Sequence, residues 1–203
     1  MIYVLPGMGA DSNMFSGRWR ELPDCTFLNW PAYGGESTIT EMAESVISAA
    51  GIPDGAILVG ASLGGIIACE IARLRTLRHL VLVGSATCPE EINAWLAALH
   101  PLSELAPVEW LRWSAGKIPG ELSRMFSQSE PLFIRAACRA IFAWRGLDTS
   151  RISPHRIHGK NDHVIPLPAH VDRILDGGHL IAMTHPQECC EFITEVTATP
   201  RRG

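Results

Sequence analysis

Ser62 lies between two glycines in residues 60–64, which read Gly-Ala-Ser-Leu-Gly. A short apolar run, residues 56–59, precedes this motif, and a run of helical periodicity, residues 66–72, follows it. This order of strand, tight turn and helix is the setting in which a Gly-x-Ser-x-Gly serine projects its hydroxyl beyond the end of a sheet strand. The two glycines are needed because a side chain at either position would collide with the turn. The pattern predicts that Ser62 is a nucleophile.

A serine hydroxyl is a weak nucleophile near neutral pH, so it needs a general base, usually a histidine of pKa about 6.5 that a carboxylate holds in one tautomer. The helix predicted after the motif places backbone N–H groups beside the serine, where a negatively charged oxygen forms when a carbonyl is attacked. The N–H of Leu63 is one such donor. These residue types favour acyl transfer. The alternative is that Ser62 serves only as a helix N-cap.

Two motifs downstream of the serine resemble those of the α/β-hydrolase family, whose nucleophile, acid and histidine follow one another along the chain. Residues 156–166 (Arg-Ile-His-Gly-Lys-Asn-Asp-His-Val-Ile-Pro) resemble the acid loop of the family, and residues 176–179 (Asp-Gly-Gly-His) resemble its histidine loop. The resemblance implies that His179 is the general base and that Asp162 orients it. It further implies a hydrolase of carboxylic esters or thioesters that works without a cofactor.

Other residues compete for these two roles. Asp176 and Glu90 are alternative acids, Glu90 because some relatives carry the acid after the fourth strand. His163 is an alternative base, but a residue adjacent to Asp162 in one loop cannot easily place its imidazole between that carboxylate and Ser62. We therefore expect His163 to lie in solvent or at the rim of a pocket.

Residues 6–9 (Pro-Gly-Met-Gly) resemble a third motif of the family, the His-Gly-x-Gly loop after its first parallel strand. In that loop the residue after the first glycine donates its backbone N–H to the oxyanion. The resemblance implies this role for Met8. Pro6 replaces the usual histidine, which departs from the family pattern but leaves the backbone role open.

Short apolar runs alternate with helical patterns along the chain, which predicts an α/β fold of parallel strands and crossover helices. The resemblance implies an α/β-hydrolase fold with a mostly parallel sheet and helices on both faces. The chain departs from the family in starting close to the first parallel strand, so we expect no counterpart of the first two edge strands and a minimal six-stranded sheet. Capping-box patterns predict helix starts at Thr38 with Glu41 and at Thr184 with Gln187. The strands are expected near Ile2–Leu5, Thr26–Trp30, Ala56–Val59, His79–Val83, Arg156–His158 and Val171–Leu175.

The length of 203 residues predicts a single domain, residues 1–203. Between about residues 88 and 146 the alternation stops, and prolines divide a series of helical patterns, which predicts a helical lid inserted into the domain. Aromatic side chains in this stretch suggest an apolar pocket for a small or medium acyl group, although they could equally pack the core of the insertion. These pocket candidates are Trp95, Trp110, Trp113, Phe126, Phe133 and Trp144.

Composition limits the kinds of molecule that the protein is expected to bind. The formal net charge of −4 argues against nucleic acid, which requires a clustered basic surface. The first residues enter an apolar strand directly, without a basic leader and a long apolar stretch, so we expect neither secretion nor a membrane partner. The six cysteines have no CxxC spacing, which favours a reducing cytoplasm. A small ester or thioester is the expected partner, and the composition does not indicate an oligomeric state.

Three other functions are compatible with some of the residues described above. Gly7-x-Gly9-x-x-Ser12 imitates a dinucleotide-binding loop, but a serine replaces its third glycine and no acidic residue ends the next strand, which argues against an NAD-dependent oxidoreductase. Residues 155–163 contain three histidines and Asp162, but His155 and His158 should face opposite sides of a strand, which argues against a metal site.

The third rival is a lyase or ligand-binding protein of the same fold. The hydroxynitrile-lyase branch of the family typically has a lysine after the histidine, where this chain has Leu180. That difference weakens the lyase reading and leaves the binding protein as an alternative.

Overall fold

Six parallel strands form the centre of the molecule in a computed structural model, which describes residues 1–93, 124–125 and 129–198. Their spatial order is β2-β1-β3-β4-β5-β6, and every neighbouring pair is parallel. The strands are β1 (Ile2–Leu5), β2 (Cys25–Phe27), β3 (Ile57–Ala61), β4 (His79–Val83), β5 (His155–Gly159) and β6 (Arg173–Leu175). The six-stranded α/β architecture expected from the sequence is therefore confirmed.

The inner strands β1, β3 and β4 are buried along their whole length, whereas the edge strands β2 and β6 are partly exposed. Because side chains alternate between the faces of a strand, each inner strand supplies two separate cores. Leu58, Leu80 and Leu82 pack on one face of the sheet. Val59 and Val81 pack on the other. Continuous apolar runs of this kind are what a parallel sheet covered on both faces requires.

Five helices are described: α1 (Ile39–Ala50), α2 (Leu63–Leu74), α3 (Pro131–Ala143), the single turn α4 (Ile181–Thr184) and α5 (Pro186–Ala198). Helices α1, α2 and α3 contribute to the first core, and α4 and α5 to the second. Within the described residues, no helix is long and apolar enough to cross a membrane.

One of the two predicted capping boxes forms. Thr38 accepts a hydrogen bond from the N–H of Glu41, whose carboxylate in turn accepts from the N–H of Thr38, so α1 begins as predicted. The predicted box at Thr184 and Gln187 is wrong. Thr184 lies inside the turn α4, where its hydroxyl contacts the carbonyl of Leu180, and α5 starts only at Pro186.

A buried carboxylate joins the helices of the first core. Glu70 of α2 is 4% exposed. Its carboxylate accepts hydrogen bonds from the side chains of Arg73, Thr40 and Trp144. Burial alone would raise the pKa of Glu70, but these donors hold it below its ordinary value. The charge is thus fully partnered, and it connects α1, α2 and the residue that follows α3.

The predicted lid lies mostly beyond the described residues. Of the stretch from 88 to 146, the structure describes residues 88–93, 124–125 and 129–146, which include a short 3-10 turn at Pro89–Glu91 and helix α3. Helix α3 buries Phe133, Ile134 and Ala137 in the first core. The single domain and its helical lid stay predictions.

Candidate active site

The candidate residues follow different strands of the sheet at its carboxyl edge. Met8 follows β1, Ser62 follows β3, Asp162 follows β5 and His179 follows β6. Since all six strands run in the same direction, these four loops meet at one edge. This is the edge at which open α/β sheets bind ligands.

Ser62 has a backbone conformation that non-glycine residues rarely adopt, with φ 51° and ψ −120°. Such a conformation costs on the order of 1–3 kcal/mol and persists only when the surrounding structure imposes it. The N–H of Ser62 donates to the carbonyl of Val83, and its carbonyl accepts from the Ser85 hydroxyl at 2.7 Å. These bonds hold the strained turn against the end of β4.

The glycines of the motif have the steric role predicted for them. A Cβ atom on Gly60 would overlap the backbone of Gly64 and Gly65. A Cβ atom on Gly64 would lie 2.5 Å from the carbonyl oxygens of Leu5 and Pro6. Gly64 thus lets the first turn of α2 lie directly against the loop that follows β1.

The side chain of Ser62 points to His179. The distance from Ser62 Oγ to His179 Nε2 is 2.8 Å. Ser62 occupies the N-cap position of α2, but its side chain makes no capping hydrogen bond. The alternative of a simple N-cap serine is therefore wrong, because the hydroxyl is directed at the imidazole.

The other nitrogen of the imidazole contacts the predicted acid. His179 Nδ1 lies 2.8 Å from Asp162 Oδ2, and both side chains are buried. A carboxylate only accepts, so Nδ1 carries the proton and the lone pair of Nε2 faces the hydroxyl of Ser62. The structure therefore brings Ser62, His179 and Asp162 into one line of hydrogen bonds.

Asp162 is held from several directions. Its Oδ1 accepts from the backbone N–H groups of Val164 and Ile165, both at 2.9 Å. Its Oδ2 accepts from His179 and also lies 3.3 Å from Nε2 of His158. Burial by itself would raise the pKa of Asp162, but the neighbouring His179 and these hydrogen bonds lower it well below its ordinary value. The carboxyl group stays ionised where it contacts His179.

His158 is a neighbour of the acid that the sequence did not identify. It is 1% exposed, and its Nε2 lies 2.8 Å from the carbonyl oxygen of Ile165. Because a carbonyl oxygen only accepts, Nε2 of His158 carries a proton, which also faces Asp162. The signal available was a histidine in a strand, four residues before the acid.

The loop after β1 lies directly beside the serine. A Cβ atom on Gly7 would come 3.5 Å from the Cβ of Ser62. The carbonyl of Gly7 accepts from the N–H of Ala10, and Gly9 has a φ of 68°, so residues 7–10 form a tight turn. Met8 occupies the second position of this turn, and Leu63 is the first residue of α2. Both predicted oxyanion donors thus belong to segments that adjoin Ser62.

Aromatic side chains form a small cavity near this loop. The Trp30 and Phe133 rings lie 5.1 Å apart, and the Tyr33 ring lies 6.4 Å from Phe133. These three residues, with Pro31, Glu36, Met42, Ser45 and Val46, line a shallow cavity that is partly open to solvent. Trp30 and Tyr33 were not identified from the sequence, although Trp30 follows β2 and so belongs to the same edge of the sheet.

The remaining pocket candidates divide into two groups. Trp95, Trp110, Trp113 and Phe126 lie outside the described residues. Trp144 is buried, and its indole N–H donates to Glu70 Oε2 at 3.1 Å. That contact gives Trp144 a place in the first core, while Phe133 lines the cavity.

The competing residues lie apart from the line of hydrogen bonds. Asp176 is exposed and pairs with Lys160 at 3.0 Å. Glu90 and His163 are also exposed, and the backbone carbonyl of His163 accepts from the side chain of Asn93. Within residues 1–93, 124–125 and 129–198, no group of three histidine, cysteine, aspartate or glutamate side chains could hold a metal ion.

Comparison with known proteins identifies the family of the chain. The model of the alpha/beta hydrolase family matches residues 2–192. The chain is 25% identical to a pimeloyl-[acyl-carrier protein] methyl ester esterase from Aromatoleum aromaticum, over 96% of this chain and 97% of that protein.

Solved structures give the same picture of the fold. An esterase from Exiguobacterium antarcticum superposes with a TM-score of 0.76 at 18% identity, covering 98% of this chain and 92% of that one. The type II thioesterase BorB from the borrelidin biosynthetic cluster superposes with a TM-score of 0.68 at 21% identity, covering 99% and 92%. The chain belongs to the alpha/beta hydrolase family, and its relatives support a hydrolase.

Proposed function

We propose that this protein is a serine hydrolase that cleaves a carboxylic ester or thioester through an acyl-enzyme. The observation that carries the proposal is the line from Ser62 Oγ to His179 Nε2 to Asp162, with both intervals at 2.8 Å. A nucleophile within hydrogen-bond reach of a base, which a third group orients, is the arrangement that acyl transfer needs.

In the first half of the reaction, His179 Nε2 takes the hydroxyl proton as Ser62 Oγ attacks the carbonyl carbon. The new bond pushes the carbonyl electrons onto oxygen, and the N–H groups of Met8 and Leu63 stabilise this oxyanion. When the carbonyl re-forms, the bond to the alcohol or thiol breaks, and His179 donates its proton to the leaving group. The ionised Asp162 stabilises the imidazolium between these steps.

In the second half, water takes the place of the leaving group. His179 accepts a proton from the water as its oxygen attacks the acyl-enzyme, and the same N–H groups stabilise the second oxyanion. Collapse of that intermediate breaks the bond to Ser62 Oγ and releases the carboxylic acid. The proton returns from His179 to the serine, so the enzyme is regenerated without a cofactor.

The substrate that we propose is a small-molecule ester or thioester with a small to medium apolar acyl group. The cluster of aromatic rings of Trp30, Tyr33 and Phe133 beside the loop after β1 supports an apolar subsite. Trp95, Trp110, Trp113, Phe126 and Trp144 remain further candidates for it. The similarity to a methyl ester esterase and to a thioesterase is consistent with either leaving group.

All six cysteines are free, which supports the proposed reducing cytoplasm.

The test is active-site labelling with a fluorophosphonate, which phosphonylates an activated serine. We expect the probe to label the wild-type protein and to leave Ser62→Ala unlabelled, with parallel loss of nitrophenyl ester hydrolysis. Labelling of both proteins would contradict the assignment of Ser62. A folded wild-type protein that is neither labelled nor active would instead favour a ligand-binding protein of the same fold.

The acyl group is tested with nitrophenyl esters of increasing chain length. An apolar subsite predicts that kcat/KM rises from acetate to a longer chain, since each buried methylene contributes about 0.8 kcal/mol. A preference for acetate over every longer chain would count against this pocket.

A further inference from the structure

The side chain of Trp30 makes a polar contact with the loop that follows β1. Its indole Nε1–H donates to the carbonyl oxygen of Gly7 at 3.1 Å. The same oxygen accepts from the backbone N–H of Ala10 at 3.2 Å, so two donors hold one carbonyl. An indole has only this one hydrogen-bonding group, and Trp30 directs it at the loop beside Ser62.

The carbonyl of Gly7 belongs to the same peptide unit as the N–H of Met8. A peptide unit is planar, and in its trans form the N–H points away from the C=O. The structure contains no cis peptide bond among the described residues. Fixing the oxygen therefore fixes the direction in which the N–H of Met8 points. A hydrogen bond to the carbonyl also polarises the peptide unit and strengthens its N–H as a donor.

We propose that Trp30 is a positioning residue for the oxyanion hole, acting through the peptide unit between Gly7 and Met8. The inference rests on the proposed function, because it assigns a purpose to the Met8 N–H only if an oxyanion forms there. Trp30 does not touch the reacting atoms. It holds the donor in the direction that the oxyanion needs before the reaction begins, which is the way an oxyanion hole contributes to catalysis.

The surroundings of Trp30 limit its movement. Its ring packs against Phe133 of α3, and Pro31 restricts the backbone conformations open to Trp30 itself. The preceding residue, Asn29, accepts a hydrogen bond from the N–H of Ser12 at 2.9 Å. Two successive residues after β2 thus bind the loop that follows β1, one near its start and one near its end.

The same residue joins the oxyanion loop to the proposed acyl subsite. The Trp30 ring lines the aromatic cavity while its N–H holds Gly7. The cavity and the oxyanion loop consequently share one rigid side chain. Substitutions that affect only the cavity are expected to change KM, whereas loss of the indole N–H is expected to change the step in which the oxyanion forms.

The experiment compares Trp30→Phe with the wild-type protein, using the best nitrophenyl ester of the chain-length series. Phenylalanine keeps an aromatic ring and removes the donor. Loss of a complete oxyanion donor costs about 100 to 1000-fold in kcat, so loosening one donor is expected to lower kcat roughly 10-fold. KM is expected to change as well, because the smaller ring also alters the cavity. Phe133→Leu is the matched control, since it alters the cavity without removing a donor to Gly7.

A trifluoromethyl ketone with the same acyl chain supplies a readout that a purely structural role would not change. It adds to an active-site serine as a tetrahedral oxyanion, so its affinity for Trp30→Phe should fall by the same factor as kcat/KM. In Phe133→Leu the affinity for this ketone should instead follow the change in KM. If Trp30→Phe does not fold, benzothienylalanine at position 30 keeps the bicyclic shape and removes only the N–H.

A folded Trp30→Phe protein with wild-type kcat, or with lowered kcat but unchanged affinity for the ketone, would overturn the inference. These results are distinct from failure of the proposed function. If the proposed function failed, the wild-type protein itself would neither hydrolyse the ester nor react with the fluorophosphonate.

Discussion

Asp162 and Ser62 stand at opposite ends of one line of hydrogen bonds, and the protein fixes them by different means. Asp162 accepts two backbone N–H groups on one oxygen, while its other oxygen faces two imidazoles. The hydroxyl of Ser62 contacts His179, and its position depends on a strained backbone turn packed between glycines. Hydrogen bonds to its side chain hold the acid, whereas the nucleophile is held by hydrogen bonds to its backbone and depends in addition on close packing at glycines.

This difference predicts two kinds of sensitivity. At the acid, an isosteric change that preserves shape should alter the chemistry while leaving the packing intact, because charge and hydrogen bonding determine the arrangement. At the nucleophile, a single added methyl group should move the backbone, because the room for a Cβ atom is absent. Four substitution and pH experiments test the contrast, beginning with the largest expected effect.

Asp162→Asn is expected to lower kcat about 10³ to 10⁴-fold while the protein remains folded. The amide keeps the shape of the carboxylate, but it no longer stabilises the imidazolium and no longer selects the productive tautomer of His179. Steady-state kinetics with a nitrophenyl ester measures the loss, and circular dichroism checks the fold. Asp176→Asn is the matched control. If this control lost as much activity, the acid would be misassigned.

Gly64→Ala is expected to destabilise the protein by about 1–3 kcal/mol and to lower kcat at least 100-fold. The added Cβ would press on the carbonyls of Leu5 and Pro6, which separates the loop after β1 from Ser62. Gly34→Ala is the control, since a Cβ there meets only the flexible side chain of Glu36 at 3.4 Å. Urea unfolding and kinetics of both variants give the comparison. Equal behaviour of the two would show that packing does not fix the nucleophile.

His158 tests whether the second imidazole supports the acid. His158→Leu removes the donor to the carbonyl of Ile165 and the contact with Asp162, so we expect about 10-fold lower kcat and a loss of stability of about 1–3 kcal/mol. His158→Gln can place an N–H near the position of Nε2 and should recover most of both. Equal losses in the two variants would mean that ring packing, and not hydrogen bonding, is what matters at this position.

The smallest effect concerns stability at low pH. The pKa of Asp162 is lowered in the folded protein, so its carboxylate contributes stability above the ordinary pKa of about 3.9, and this contribution is lost as the pH falls below that value. The free energy of unfolding of the wild type should therefore decrease between about pH 5 and about pH 3 more steeply than that of Asp162→Asn. Parallel curves would contradict the lowered pKa.

The sequence predicted much of this arrangement because the relevant signals are local. The strand, turn and helix around Ser62, the apolar inner strands and the capping box at Thr38 each depend on a few consecutive residues. The family resemblance placed Asp162 and His179 on loops after late strands, where the structure has them. Where one sheet edge collects the ends of parallel strands, order along the chain is enough to bring such residues together.

Contacts between distant segments were not predictable in this way. The bond from Trp30 to Gly7 and the approach of His158 to Asp162 depend on how loops fold back, and periodicity says nothing about that. The second capping box failed because Thr184 is held in an earlier helical turn, so one local pattern gave way to another. Glu70 illustrates the dependence on distant segments, since two of its three partners, Thr40 and Trp144, come from other parts of the chain.

The most direct measurement of the central claim is peptide-level mass spectrometry of the wild-type protein after reaction with a fluorophosphonate. We expect a single adduct, on Ser62, that does not form after Ser62→Ala and forms far more slowly in Asp162→Asn. An adduct on any other residue of a folded, active wild-type protein would contradict the account.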